Sequence, residues 1–485
     1  MANGTTGGGL DLSGFWGQKG EKVGVTLFAA RNTQQQYDPG KTGFSALPNY
    51  ERYTFNPRLY FFLNPTATLT LGAMGNWEAR IGGDMQVLDG HTDNAHRYYE
   101  RNRSDRAASQ LQFDQRFARS VLSVKNSISY FNRIITQPDY RFAGRQVASF
   151  TEASYTHTGK RSEWIGGGNL WTEQFSEEGT NQDRNYHYVT VGGFLQNTYK
   201  AAPWLTMETG LRGDFHNKFG FFALPRVSAL FKLSEKLTSR LGGGLGYKAP
   251  TLFTEEAESV AFRQIRPINP ATAQVETSIG GNLDVDYRTT LFDVLGVSIN
   301  QLFFYTKLDH ALVLDIPAVI TPGATTAVYQ FANASGPIES RGLETNVRIA
   351  YEAFKLYAGY SLVDTRRRYQ GEEYNSPIPL TAKHRVNLVA VYELEGKFRL
   401  GLEAYYMGPK PLSTGEQSRP YWLMGVMGER RWKHISVFVN FENLLNIRQD
   451  RYQAWVLPPQ NQPSFREVWA PLEGFVTNGG IKLFL

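Results

Sequence analysis

The sequence predicts an all-β chain: a transmembrane antiparallel β-barrel, with about 21 strands present of a 22-stranded barrel. Three observations predict it. Long and short connections alternate along almost the whole chain, as they do where one rim carries loops and the other tight turns. The segments between them alternate apolar and polar residues with period two. Those segments run to roughly 10–13 residues, enough to cross a bilayer at a tilt and about twice the usual soluble strand.

The elements follow in order. Leu10–Gly17 reads as a strand, Lys19–Lys22 as a turn and Val23–Asn32 as the return strand. After a polar loop from Gln34 to Glu51, Arg52–Leu63 and Thr68–Arg80 flank a turn at Asn64–Ala67. Further short turns fall near Arg119, Gly159–Ser162, Ala201–Trp204, Ser234–Lys236, Arg288–Leu291, Tyr351–Phe354, Glu395–Lys397 and Glu429–Arg431. Long connections are expected at Ile81–Arg106, Ile134–Gln146, Phe175–Asn185, Lys248–Thr272, Lys307–Ser335, Arg366–Ala382, Met407–Ser418 and Asn443–Glu473. His216–Gly220 is short where a long loop is due.

Alternation assigns the faces. Val437, Val439 and Phe441 oppose Ser436, Asn440 and Glu442, and Leu111 and Phe113 oppose Gln110, Gln112 and Asp114. The carboxylates Asp114, Glu208, Asp214, Glu276, Glu344 and Glu442 are expected to line the lumen, with Arg58, Arg212, Arg341 and Arg385 cross-linking them. Single-chain bacterial barrels use even strand numbers, so one strand before Leu10 is expected to be missing. Residues 1–9 then read as the remnant of the first extracellular loop and residues 10–485 as the barrel.

Composition narrows the chemistry. No run of about 18 apolar residues exists, so no membrane helix is expected, and a mean hydropathy of -0.39 suits strands that show every second residue to water. The 26 Tyr, 31 Phe and 9 Trp can supply aromatic girdles. With no cysteine there is no disulfide, thiolate metal site or Cys nucleophile. A net charge of +6 is small for the length and does not point to nucleic acid. Residues 1–9 have neither a basic start nor an apolar core, so an export signal is expected upstream. No phosphate loop, metalloprotease helix, nucleophile elbow or calcium loop occurs, so neither an enzyme nor a cofactor is predicted.

Several segments resemble the barrel of TonB-dependent outer-membrane receptors of Bacteroidetes-like bacteria. They are Pro225-Arg-Val-Ser-Ala-Leu-Phe-Lys-Leu-Ser-Glu-Lys-Leu-Thr238, Gly246-Tyr-Lys-Ala-Pro-Thr-Leu-Phe253, Glu339-Ser-Arg-Gly-Leu-Glu344, Pro379-Leu-Thr-Ala-Lys-His-Arg-Val-Asn-Leu388 and Phe441-Glu-Asn-Leu-Leu-Asn446. The resemblance implies a bacterial outer-membrane location and uptake of a scarce small-molecule ligand. A ferric siderophore is the expected ligand, with cobalamin, haem or a saccharide as alternatives. It implies a TonB complex acting through a plug domain that these residues do not show, outer-membrane lipid and lipopolysaccharide around the wall, and a monomer. The chain ends Ile481-Lys-Leu-Phe-Leu485, a variant of the aromatic-terminated insertion signal of such barrels. Other readings are a passive porin-like channel, a surface adhesin or phage receptor acting through its loops, and a barrel protease or lipase.

The expected ligand surface is the extracellular rim. His91 and His96 share a loop with Asp84, Asp89 and Asp93, but their spacing matches no defined metal site. Arg97 and Arg101 flank Tyr98 and Tyr99; Arg141 and Arg145 follow in the next long connection, Arg263 and Arg266 in a later one, and Arg366, Arg367 and Arg368 in another. Guanidinium groups bind carboxylate and phosphate through two hydrogen bonds and aromatic rings add stacking surface, so these residues suit an anionic ligand; pairing with anionic lipopolysaccharide or with loop carboxylates is the alternative.

Overall fold

A computed structural model describes residues 1–179, 183–315, 328–368 and 376–484. The tips of three expected long connections (180–182, 316–327 and 369–375) and Leu485 of the expected insertion signal lie outside the described residues. The described chain is a closed antiparallel wall of 22 strands, each bonded to its sequence neighbours.

Closure comes from the shortest strand. Ala2–Thr5 pairs on one side with Gly9–Lys19, Ala2 opposite Leu12, and on the other with Val476–Leu483, Ala2 opposite Ile481. Where the sequence predicts only a loop remnant over residues 1–9, the structure puts Ala2–Thr5 in the wall as the twenty-second strand. Its four residues, one of them glycine, are too few to show a period.

Small polar motifs close the short turns. Gly20 donates to the Val23 carbonyl (2.8 Å), Gly159 to Ser162 (2.7 Å) and Trp432 to Ile435 (2.7 Å). At the 65–66 turn the Asn64 side chain accepts from the Thr66 amide at 2.9 Å, replacing a backbone turn bond.

Register and exposure fix the two faces. Leu111, Ile128, Tyr130, Val147, Leu170, Val191, Leu195 and Leu211 point outward and are exposed to the lipid side. The alternate positions carry hydrogen-bonded polar groups. Asp11 accepts from Asn3 and Asn32, Arg52 and Arg80 hold Glu78, Ser123 donates to Asp114, and Lys482 and Ser436 hold Glu429. Lipid outside and paired polar groups inside satisfy both solvents. Asp114, Glu208, Asp214, Glu276, Glu344 and Glu442 all take inward register positions, as do Arg58, Arg212 and Arg385. Arg341 does not. It pairs in register with the exposed Tyr305 and lies outward, bonded to Asp364 at 3.1 Å.

The wall is taller on one side than the sequence suggests. Tyr99–Arg116, Ser120–Gln137 and Tyr140–Thr158 have 18, 18 and 19 residues. The expected long connection at Ile134–Gln146 is a two-residue turn, Pro138–Asp139, at the tip of a tall hairpin. Likewise, the second strand-bound part of Ile81–Arg106 begins at Tyr99.

Candidate functional site

Connection 249–275 folds into the barrel mouth. It carries a short helix, Glu255–Ser259, capped by the Thr254 hydroxyl on the Ala257 amide. Its apolar residues Leu252, Ala257, Ala261, Phe262 and Ile265 are buried against Ile135, Phe142 and Phe175. Those three project inward from neighbouring strand tops, so the connection lies across the inner face of the wall. Phe262 stacks on Phe142 with ring centroids 4.6 Å apart, and Phe253 meets Phe175 edge-on at 5.2 Å.

Polar ties fix the same segment. Tyr140 donates to the Ala261 carbonyl and Tyr188 to the Pro250 carbonyl, each at 3.0 Å. Arg133 pairs with Glu258 at 2.6 Å. Arg184, almost wholly buried with Glu177, bonds that carboxylate through Nε at 2.6 Å and donates to the Phe262 carbonyl at 2.8 Å. Carbonyls that would otherwise be buried unpaired are thereby satisfied.

Connection 84–98 forms the opposite lip. Gly83 (φ +138) lets the chain turn back on itself: a Cβ there would sit 2.7 Å from the Tyr98 carbonyl oxygen. Asp84 is buried; one oxygen accepts from the Gln86 amide at 2.9 Å, capping the Met85–Leu88 turn, and the other lies 2.7 Å from His96 Nδ1. That bond to Asp84 raises the His96 pKa above its usual value. A raised folded-state pKa gives stability that is complete below the unfolded value, about 6.5, and lost as pH climbs through the folded one. Amide protection of residues 85–89 should therefore fall as pH rises above about 6.5. His96→Gln should flatten that step; an unchanged step in the variant would disprove the link.

The lips enclose a cavity of ≈ 550 Å³. Arg97 and Tyr98 line it from 84–98, Ser259, Val260, Arg263 and Gln264 from 249–275, Tyr329 from 310–337, and Asn461, Gln462, Pro463 and Phe465 from 443–475. Gln137 and the hairpin tip Pro138–Asp139 close the side. Arg97 is bonded twice to Asp139 through Nη2 (2.8 and 2.9 Å), and Arg263 bonds Gln137 at 2.7 Å with its guanidinium 4.5 Å from the Tyr140 ring centroid. Tyr98 packs against Phe465 (5.5 Å) and Phe44 (6.2 Å), and burial pushes its hydroxyl pKa up to about 12. A second cavity of ≈ 380 Å³ adjoins Arg184, Lys218 and Arg266 beside Tyr186 and Tyr188. Deeper in 408–420, Lys410 donates to the Trp469 carbonyl at 2.7 Å; burial, then the charge of Arg385, lowers its pKa.

The structure therefore gathers only some of the predicted residues. Arg97, Tyr98 and Arg263 meet in the larger cavity and Arg266 lines the smaller. His91 is exposed, and His96 is spent on Asp84. Among the described residues no group of three metal-ligating side chains occurs. Tyr99, Arg101, Arg141 and Arg145 are a correction: they sit on wall strands in outward register and do not face the mouth. Arg366 is also outward, bonded to Asp364 at 3.2 Å, and Arg368 pairs with Glu339 at 2.8 Å. Arg367 occupies an inward register position at the top of its strand. Sequence reasoning misses Arg184, Tyr140, Phe262 and Tyr329. The one available signal is the apolar set Ala257, Val260, Ala261, Phe262 and Ile265, unusual in a water-exposed loop.

Comparison with known proteins fits this architecture. The family described as "TonB dependent receptor-like, beta-barrel" matches residues 9–444. A curated relative, the ferric enterobactin receptor PirA of Pseudomonas aeruginosa, is 22% identical over 163 residues, which is 32% of this chain and 22% of that protein's length. The crystal structure of a point mutant of the ferric enterobactin receptor PfeA of P. aeruginosa superposes with a TM-score of 0.74 at 15% identity, covering 99% of this chain and 79% of that one. The FrpB iron transporter of Neisseria meningitidis gives 0.76 at 11% identity, covering 99% and 80%. At these identities the solved structures speak to the fold alone, whereas the family match spans most of the chain. The chain belongs to the TonB-dependent receptor β-barrel family and is a protein of the bacterial outer membrane.

Proposed function

We propose that the chain is the wall and capture surface of a TonB-dependent receptor that takes up a ferric siderophore, of the anionic aromatic kind represented by ferric enterobactin. The observation that carries this reading is the larger cavity, where two guanidinium groups, Arg97 and Arg263, stand beside the rings of Tyr98, Tyr329 and Phe465. Guanidinium meets the ligand's negative charge and the rings meet its aromatic faces. Asp139 is 75% exposed, so its hold on Arg97 is screened by water and exchanges readily for a ligand oxygen. Names of relatives support the ligand class: the similar proteins include receptors described as ferric enterobactin and siderophore receptors.

In this reading the loops capture, a plug domain contributed by other residues gates the lumen, and TonB supplies the pull. Connection 249–275 narrows the upper lumen, which counts against a wide passive channel. The test is titration of the detergent-solubilised chain with ferric enterobactin, followed by tryptophan fluorescence. Arg97→Ala with Arg263→Ala should weaken binding by about a hundredfold or more, since each lost charge-assisted hydrogen bond costs roughly 1.5–3 kcal/mol. Equal affinity in the double variant, or equal binding of cobalamin, would defeat the proposal.

A further inference from the structure

The inner face of four adjacent strands hangs directly beneath the larger cavity. Asn49–Asn64, Ala67–Gly83, Tyr99–Arg116 and Ser120–Gln137 lie side by side in the wall. Arg97 and Tyr98 lead into the third of them and Gln137 ends the fourth, so the cavity stands on their tops. The inward register of Arg58 and Asp114 includes Arg106, Arg116 and Lys125. Arg106 and Arg116 are separated by about 34 Å along one strand, the descent from beneath the cavity to the rim of short turns. Arg58 and Lys125 fall between them: Arg58 aligns through Gly72 with Gln110, and Lys125 faces Gln112. The inward side chains among these cations are mostly short, as at Thr70, Gly72, Ala108, Ser127 and Ser129.

The strip keeps an excess of positive charge. Arg58, Arg106, Arg116 and Lys125 are exposed and make no ion pair among the described residues; Arg106 rests on the Phe131 ring, 4.6 Å from its centroid. The carboxylates of the strip are largely bonded already. Asp114 accepts from Ser123 at 2.7 Å and from Gln112 at 2.8 Å, Glu78 is held by Arg52 and Arg80, and Glu100 accepts from Gln137 at 2.9 Å. Glu152, on the next strand, is level with Lys125. On the far side of the lumen, between residues 338 and 483, the inward charges balance. Lys355 pairs with Glu393 at 3.4 Å and Lys482 with Glu429 at 3.0 Å. Arg348, Arg385 and Arg431 are offset there by Glu344, Glu403 and Glu442, all in inward register. An anion inside this wall is therefore drawn to the strip, and the low-dielectric wall sharpens the difference.

We infer that an anionic cargo descends the lumen along this strip, passing from Arg97 and Arg263 in the cavity to Arg106, then to Arg58 and Lys125, and then to Arg116 at the exit rim. None of the four lower cations lines the cavity. Their wide spacing suits passage, because the cargo meets them a few at a time and no stage holds it as the cavity does; conduction needs sites weak enough to leave. The short side chains between them leave room along the wall. That the cargo is a ferric siderophore rests on the function proposed above, whereas the strip's preference for anions does not.

The chain has no cysteine, so one introduced thiol carries a dye at a single place. Ser127→Cys puts it on the strip, level with Gln110, and Ser361→Cys puts it on the far side, level with Glu344. Each labelled chain is kept in detergent, checked for folding by resistance to unheated SDS, and quenched with iodide and with neutral acrylamide. The ratio of the two quenching constants removes accessibility and leaves local charge. At low salt it should be at least about twofold higher at position 127, and the gap should close near 1 M salt, where the screening length is about 3 Å. Arg58→Gln/Arg106→Gln/Lys125→Gln should bring the ratio at 127 down to that at 361. Equal ratios at the two positions overturn the strip, as does a ratio at 127 that the folded triple variant leaves unchanged. The comparison of positions uses chains with every charge intact, so it decides even if the triple variant fails to fold. Ferric enterobactin should then quench the dye at 127 at lower concentration than at 361. Iodide preference without that last step upholds the strip as an anion path and overturns the siderophore as its cargo.

Discussion

Replacing Arg184 with methionine should release connection 249–275 from the barrel mouth while leaving the wall intact. The guanidinium is 6% exposed and the Glu177 carboxylate it neutralises 4%. The same side chain donates to the Phe262 carbonyl. Removing it strands a buried carboxylate, a loss of about 3–5 kcal/mol in comparable sites. Part of that cost is avoided if the segment lifts off and lets water reach Glu177, so undocking is the expected response. Amide exchange across residues 257–265 should accelerate a hundredfold or more, with little change in the strands Ser120–Gln137 and Tyr140–Thr158. Arg184→Met combined with Glu177→Leu should recover much of the protection, because an apolar pair of similar size leaves no charge unpaired. If the single variant exchanges like wild type, the ion pair does not hold the segment.

The transmembrane part of this fold is legible because each strand there meets two different solvents. Val437, Val439 and Phe441 against Ser436, Asn440 and Glu442 show the period directly, and the register agrees with it. Legibility fails where the wall rises out of the lipid. In Tyr140–Thr158 the upper residues Arg141 and Arg145 face outward into water and Phe142 faces inward beneath connection 249–275. The alternation is therefore inverted, polar outside and apolar inside, and a charged aromatic stretch of that kind looks like loop. The same inversion misplaces Arg101 and Arg341. The mouth is half legible: Arg97, Tyr98 and Arg263 can be assigned to one rim, but their meeting depends on an inward fold of 249–275 that no local period encodes. Arg184 sits in a charged, polar segment and looks like any solvated loop residue; only the tertiary fold buries it.

Phe262→Ala should weaken the siderophore capture proposed for the larger cavity without removing any residue that lines it. Phe262 is 1% exposed, stacked on Phe142 and edge-on to Phe253 at 5.8 Å, and it does not line the larger cavity. Truncating a buried phenylalanine costs about 3–5 kcal/mol through lost burial and the hole left behind. That is a large share of what one docked segment of this size can hold, so the undocked form becomes substantially populated. Val260, Arg263 and Gln264 then leave the cavity, whose other side stays on 84–98 and 443–475. Apparent affinity falls by the fraction of molecules still assembled, on the order of tenfold for ferric enterobactin. Phe262→Leu fills most of the hole and should keep most of the binding. The readout separates assembly from chemistry: Phe262→Ala acts through docking and should speed amide exchange across 257–265, whereas Arg97→Ala removes charge and should not. A Phe262→Ala chain with faster exchange but undiminished affinity would place the ligand elsewhere in the mouth.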